Sequence, residues 1–142
     1  LTEVTITPSY TARVTATGAR NGRVVSDDGV LDHMLKTPGS TQGATEATNP
    51  EQLFAAGYAA CFQGALYGAA QKAGVDVSAS SVEADVSIGK ADDGGSGLAV
   101  ALRVTIPGID RETTQQLADA AHDICPYSKA TRGNIVVTVE AA

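Results

Sequence analysis

Three patterns of apolar and polar positions follow one another along the chain. EVTITPSYTARVTATG (residues 3–18) and GRVVS (22–26) alternate in period two and are rich in β-branched residues, which predicts strands, with RNG (20–22) as the hairpin turn between the second and the third. A polar loop over 37–48 gives way to NPEQLFAAGYAACFQGAL (49–66), where Asn49 suits an N-cap, Pro50 the first helical position, and Glu51 and Gln52 the first turn. The helix is predicted to run from 50 to about 73, with Gly74 as its C-terminal stop. Its small residues, among them Ala56, Gly57, Ala60 and Gly64, allow another helix to approach closely, so it is expected to be buried and central.

Period two returns in VDVSASSVEADVSIG (75–89), which sets Val82, Ala84, Val86 and Ile88 against Glu83, Asp85 and Ser87. LAVALRVTIPG (98–108) repeats it through Leu98, Val100, Leu102, Val104 and Ile106, so KADDGGSG (90–97) reads as a hairpin loop between antiparallel neighbours. DRETTQQLADAAHDI (110–124) opens on Asp110 as a cap and spaces Leu117, Ala120, Ala121 and Ile124 at helical intervals; Pro126 disfavours helical geometry at Cys125 and ends that helix. NIVVTVE (134–140) is the closing strand. The fold class is α+β, with antiparallel β-sheets packed around two helices. No repeat or linker-like tract interrupts residues 1–142, which are expected to form a single domain.

Composition narrows the function. The 142 residues are 43% hydrophobic, and no apolar run is long enough to span a bilayer. A net charge of −6 and a pI near 4.7 argue against nucleic acid and anionic membrane as partners, because both select for clustered Lys and Arg. The first residues lack a charged n-region followed by an apolar stretch, so no signal peptide is expected. Two cysteines outside any dense framework fit a cytoplasmic protein with reduced thiols. The small-residue helix makes dimerisation plausible on physical grounds.

The candidate chemistry is carried by Cys61 and Cys125. Their spacing excludes a CxxC redox motif and a zinc site of paired cysteines. A small buried thiol is also a common core residue, so packing alone could account for either. His122 and Cys125 are three apart and could share a metal with Cys61 and His33, but the pattern favours His122 as a surface or helix-end residue complementing the dipole, and His33, in LDHML, as a solvent-side strand residue. No metal site is expected. A reactive thiol needs a nearby cation to lower its pKa, and Arg13, Arg20, Arg23, Arg103, Arg111 and Arg132 all qualify by pattern. The dipole at the start of PYSK would favour Cys125 over the mid-helix Cys61.

NPEQLFAAGYAACFQGAL, AHDICPYSKATRGNI and ATGARNGRVVSDDGVLD together resemble the OsmC/Ohr superfamily, and most closely its Ohr branch, over nearly the whole chain. The resemblance implies an intertwined homodimer that reduces organic hydroperoxides with two cysteines. It implies Cys61 as the peroxidatic thiol, Cys125 as the resolving thiol, and Arg20 with Glu51 as the polar pair activating Cys61. The resemblance implies Cys61 rather than Cys125 as the nucleophile, provided Arg20 reaches Cys61, where a full positive charge at contact distance outweighs a terminal dipole worth about 0.3–1 kcal/mol. One departure is visible: Ala19 stands where the family often has glycine in a TGGR turn, and a methyl group there restricts the loop carrying Arg20.

The implied cycle forms a Cys61 sulfenate, condenses it with Cys125 to a disulfide, and returns both thiols by exchange with an external dithiol, which the resemblance identifies as dihydrolipoamide on a lipoylated protein. No bound cofactor is expected. Phe54, Tyr58, Phe62 and Tyr127 would line a pocket preferring alkyl or fatty-acid hydroperoxides; each is also an ordinary core residue by pattern. Two alternatives differ in class: a general peroxidase of the OsmC branch, against which stands the run from DDGVLD to NPEQ without an additional helical segment, and a non-catalytic dimer holding an apolar ligand. Glu51 and Cys61 are ten positions apart in one helix, about 15 Å at 1.5 Å per residue, and face differently. A composite site at the dimer interface is therefore expected, with Glu51 of one chain near Cys61 of the other.

Overall fold

A computed structural model describes residues 3–38 and 47–142, which fall into two compact units divided between Pro50 and Glu51. In the first unit, β1 (Val14–Thr17), β2 (Arg23–Ser26), β3 (Asp32–Leu35) and β4 (Ala47–Thr48) form one sheet in that order. β1 to β3 are antiparallel, with Thr17 opposite Arg23 and Val24 opposite His33, while β4 runs parallel to β3. The expected first strand does not form. Residues 3–13 carry no regular structure, and Val4 and Ile6 are 64% and 78% exposed. Their alternation marks a face to be covered, and within this unit no strand pairs with it.

The β1–β2 turn is more elaborate than a two-residue hairpin. Ala19–Asn21 forms a 3₁₀ turn entered from Gly18, at φ 76°, and Ala19 itself sits at φ 52°, alone among described non-glycine residues in the left-handed region. Gly18 and Gly22 close the turn back to back: a β-carbon on Gly22 would lie 1.8 Å from the Thr17 carbonyl oxygen. His33 is exposed on β3, as expected. Of the loop expected over 37–48, residues 39–46 lie outside the described residues, including any test of an additional helical segment there; its end, Ala47–Thr48, is strand rather than loop.

The second unit is built on α1 (Pro50–Ala73). The helix ends in a Schellman motif: Val75 N–H donates to Ala70 C=O and Gly74 N–H to Gln71 C=O, with Gly74 at φ 71°. Its stop is thus where the sequence put it. One face, Tyr58, Phe62, Leu66, Ala69 and Ala70, is buried, whereas Gln52, Ala56, Ala60, Gly64 and Tyr67 are exposed at helical spacing. The helix is central and buried along one face, and its small residues Ala56, Ala60 and Gly64 lie on the face this chain leaves open.

β5 (Ser81–Lys90) and β6 (Ser96–Thr105) form the expected antiparallel hairpin, closed over 91–95 by Gly94 at φ 98°. β7 (Val137–Ala141) joins β6 in parallel, not antiparallel, because the chain first crosses over through two helices. β6 is the central strand: Val100, Leu102 and Val104 are buried against Phe62 and Leu66 of α1 in one cluster, each burial stabilising by about 1.5–3 kcal/mol. On the opposite face Arg103 spans Glu83 and Asp85.

α2 (Arg111–Ile124) starts as expected, with Thr113 N–H donating to the Asp110 carboxylate at 3.1 Å. Its buried stripe is Thr114, Leu117, Ala118 and Ala121; Ala120 and Ile124 face outward, so the expected apolar face is rotated by part of a turn. Cys125 ends α2 with extended backbone and at once begins a third helix, α3 (Pro126–Thr131), with Pro126 in the first-turn position that needs no N–H. No described helix is long and apolar enough to cross a membrane.

Candidate active site

The site forms where the middle of α1 meets the elbow between α2 and α3. Cys61 is half-buried on α1, Cys125 is fully buried at the elbow, and their sulfurs stand 3.7 Å apart as free thiols, with Cys125 donating toward Cys61. That is contact without a bond; a disulfide needs about 2.05 Å. Burial pushes the Cys61 thiol above its ordinary value, the Tyr127 backbone N–H pulls it down, and the adjacent Cys125 pushes it up again. The net direction is upward, the direction opposite to the one a nearby cation would give.

Residues three positions from each cysteine join in a chain of polar contacts. His122 Nδ1 lies 2.7 Å from Ser128 Oγ, Ser128 Oγ lies 2.8 Å from Tyr58 Oη, and Tyr58 Oη lies 3.0 Å from Thr131 Oγ1. Thr131 Oγ1 donates to the Ser128 carbonyl at 3.1 Å, and Arg132 Nη2 donates to the His122 carbonyl at 2.6 Å. Tyr58, Ser128 and Thr131 are buried, and every described buried side-chain polar atom has a partner. Burial holds His122 below its ordinary pKa, Arg132 pushes it the same way, and Asp123 and Asp119 push back. His122 does stand in the last turn of α2, as expected, but its ring is half-buried and hydrogen-bonded rather than turned to solvent.

Of the four aromatic residues selected from the sequence, Tyr58 and Phe62 are wholly buried, Phe54 is half-buried and Tyr127 is 42% exposed. Tyr58 packs edge-on to Phe54 at 6.2 Å and tilted to Tyr127 at 5.8 Å, and the Phe62 ring lies 6.5 Å from His122. Glu51 sits in the first turn of α1, and Arg20, half-buried, in the 3₁₀ turn of the first unit. Among the other cation candidates, Arg23 pairs with Asp32 through two contacts of 2.7 and 2.5 Å, and Arg103 with Glu83 and Asp85. Among the described residues no three His, Cys, Asp or Glu side chains gather as a metal ion would require. An open groove of about 410 Å³ between α1 and α2, lined by residues such as Ala69, Thr113, Leu117 and Ile124, includes neither cysteine.

Sequence reasoning missed Ser128 and Thr131. The available signal was spacing: His122 and Ser128 flank Cys125 by three residues each, and Tyr58 precedes Cys61 by three.

Fold and site together define an α+β protein with two free thiols in contact and a buried hydroxyl chain on the same two helical segments. Residues 42–140 match the OsmC-like protein family. The chain belongs to that family, in its organic hydroperoxide resistance branch. It is 50% identical over 132 residues to organic hydroperoxide resistance protein OhrB of Bacillus subtilis (strain 168), covering 92% of this chain and 96% of that protein. The crystal structure of Bacillus subtilis OhrB superposes with a TM-score of 0.87 at 49% identity, over 94% of this chain and 98% of that one. The organic hydroperoxide resistance protein of Xanthomonas axonopodis pv. citri is 51% identical over 135 residues, 94% of each chain. An organic hydroperoxide resistance protein of Vibrio cholerae O1, solved with captopril bound in one of its active sites, is 43% identical with a TM-score of 0.85 over 96% of this chain and 94% of that one.

Proposed function

We propose that this chain is a thiol peroxidase that reduces alkyl or fatty-acid hydroperoxides to alcohols. The observation that carries the reading is the 3.7 Å approach of two free thiols, one of them half-exposed. The Cys61 thiolate attacks the terminal oxygen of ROOH; the S–O bond forms as O–O breaks, and the departing alkoxide takes a proton to become the alcohol. Cys125 then attacks the sulfenic sulfur, S–S forms as S–O breaks, and water leaves, which forestalls overoxidation. An external dithiol, such as a lipoyl group, restores both thiols by exchange and carries away the two electrons.

Arg20 supplies the cation that the Cys61 environment requires, and Glu51 orients it. Phe54 and Tyr127, with exposed surface, and Tyr58 and Phe62 behind them form the apolar wall that favours an organic R group. The active form is a homodimer: α1 exposes Ala56, Ala60 and Gly64, a strip on which a second helix can lie close, and a ten-residue span separates Glu51 from Cys61 on one helix.

The test is consumption of cumene or linoleic acid hydroperoxide against hydrogen peroxide, with dihydrolipoamide and thioredoxin in parallel. Faster turnover of the organic peroxides with dihydrolipoamide is expected. Equal rates on all three peroxides would favour a general peroxidase, and no thiol loss with any of them would refute peroxidase activity.

A further inference from the structure

Four contacts surround the α2–α3 elbow, and each needs a hydrogen. Thr131 Oγ1 meets the Ser128 carbonyl, which cannot donate, so the Thr131 hydrogen goes there. Tyr58 must then donate to Thr131 Oγ1, and Ser128 Oγ must donate to Tyr58 Oη. All three hydroxyl hydrogens are now spent. The remaining contact, between Ser128 Oγ and His122, is filled only when His122 Nδ1 carries a hydrogen. Any reversal leaves one contact without one. The chain therefore has a direction, from imidazole to carbonyl, and names the tautomer.

We propose that this directed chain, His122 to Ser128 to Tyr58 to Thr131, is the device that positions the resolving thiol, holding Cys125 Sγ at striking distance from Cys61 with His122 as its Nδ1–H tautomer. The proposal rests on the reading of Cys125 as the resolving thiol. Cys125 itself has extended backbone, φ −65° and ψ 124°, between two helices, so the elbow is a joint. The chain grips that joint three residues before and three residues after the sulfur and ties it to Tyr58, one turn from Cys61 on α1. Arg132, donating to the His122 carbonyl, adds a second tie from the end of α3 to α2. The four residues take no part in the electron or proton balance of resolution. They are positioning residues for one step, in which the two sulfurs close by about 1.7 Å to bond. A displacement near 1 Å in such a step slows it up to about 100-fold. Protonation of His122 at Nε2 leaves Nδ1–H in place, so the chain survives acid; it breaks only when the proton shifts from Nδ1 to Nε2.

Long-range proton–nitrogen NMR of the ¹⁵N-labelled full chain, with His33→Gln to assign the two histidines, is expected to show a protonated Nδ1 and a bare Nε2 on His122. An Nε2–H tautomer overturns the chain's direction. In single-turnover experiments, dimedone trapping reads Cys61 sulfenate and mass spectrometry reads the disulfide. Ser128→Ala is expected to form sulfenate within about twofold of the wild-type rate yet form the disulfide about 10–100-fold more slowly, with sulfinate accumulating. His122→Ala should lose disulfide formation in the same way, whereas His122→Asn, whose amide N–H stands in for Nδ1–H, should restore it. Wild-type disulfide rates in Ser128→Ala or in His122→Ala, or equal loss in His122→Asn and His122→Ala, overturn the proposal. No Cys61–Cys125 disulfide in the wild type instead overturns the resolving role of Cys125, and the proposal with it.

Discussion

The Tyr127 ring lies against the backbone of Gly57: a β-carbon at Gly57 would fall 3.2 Å from the Tyr127 hydroxyl and 3.3 Å from its Cε2. Gly57→Ala gains about 1 kcal/mol of helix propensity but pushes the half-exposed ring outward by a few tenths of an ångström. Stability is expected to stay within about 1 kcal/mol of wild type while the preference for bulky over small hydroperoxides changes. Steady-state KM values for cumene and tert-butyl hydroperoxide check it. An unchanged ratio would remove Tyr127 from the substrate-lining set.

The two thiols are expected to fail differently. Cys61→Ser should abolish peroxide reduction, and Cys125→Ser should allow one turnover and then accumulate oxidised Cys61. Mass spectrometry after one equivalent of hydroperoxide separates them. Sustained turnover of Cys125→Ser with a dithiol, at the wild-type rate, would show that Cys125 resolves nothing.

Burial holds the Cys61 thiol up, and on the reading of Arg20 as its activating cation, removing that charge should raise it further. Arg20→Ala is expected to move the pH profile of Cys61 alkylation upward and slow the reaction with hydroperoxide at neutral pH. If the profile does not move, another group activates the thiol.

The turn that bears Arg20 is entered through two left-handed residues of unequal fitness, Gly18 and Ala19. Ala19, at φ 52°, carries a penalty of about 1–2 kcal/mol that glycine would escape, less about 0.4–1 kcal/mol for glycine's freer unfolded state. Ala19→Gly should therefore raise the urea midpoint slightly, and Gly22→Ala, whose β-carbon would overlap the Thr17 carbonyl, should lower the unfolding free energy by roughly 1–3 kcal/mol or more. Chemical denaturation of both variants decides it; destabilisation by Ala19→Gly would contradict the strain assigned to this turn.

The folded-state pKa of His122 is depressed, so the unfolded chain takes up that proton first as pH falls. Its contribution to stability is present above the ordinary histidine pKa of about 6.5 and is lost as pH drops through the lower, folded value. The denaturation midpoint of wild type should consequently fall more between pH 8 and pH 5, roughly the span of histidine titration, than that of His122→Asn. Parallel slopes would place the imidazole in solvent rather than in the interior.

The sequence made most of the second unit legible because its signals are local. Asn49–Pro50 and Gly74 mark both ends of α1, Asp110 marks the start of α2, and the alternation of β5 and β6 alone specifies their buried faces. What stayed hidden depends on residues far apart. Val4 and Ile6 announce a face in need of cover without naming what covers it. The direction of β7 depends on the crossover, and the outward turn of Ala120 and Ile124 on where α2 meets the sheet. Cys61 and Cys125 were each legible, but Ser128 and Thr131 look like surface hydroxyls until Tyr58, 70 and 73 residues away, is set beside them.

The parallel pairing of β7 with β6 sets an order of events in the life of the chain. Its crossover carries Cys125, which lies 64 residues after Cys61. At about 5–20 residues per second, synthesis leaves Cys61 without its neighbour for roughly 3–13 s, and the parallel pairing beyond the elbow is a non-local contact of the kind that forms slowly. During that interval α1 can already exist while Cys125 has not yet been made. On the reading of Cys125 as the resolving thiol, a Cys61 oxidised in that interval has no sulfur of its own chain to turn to, and its rescue falls to thiols from outside.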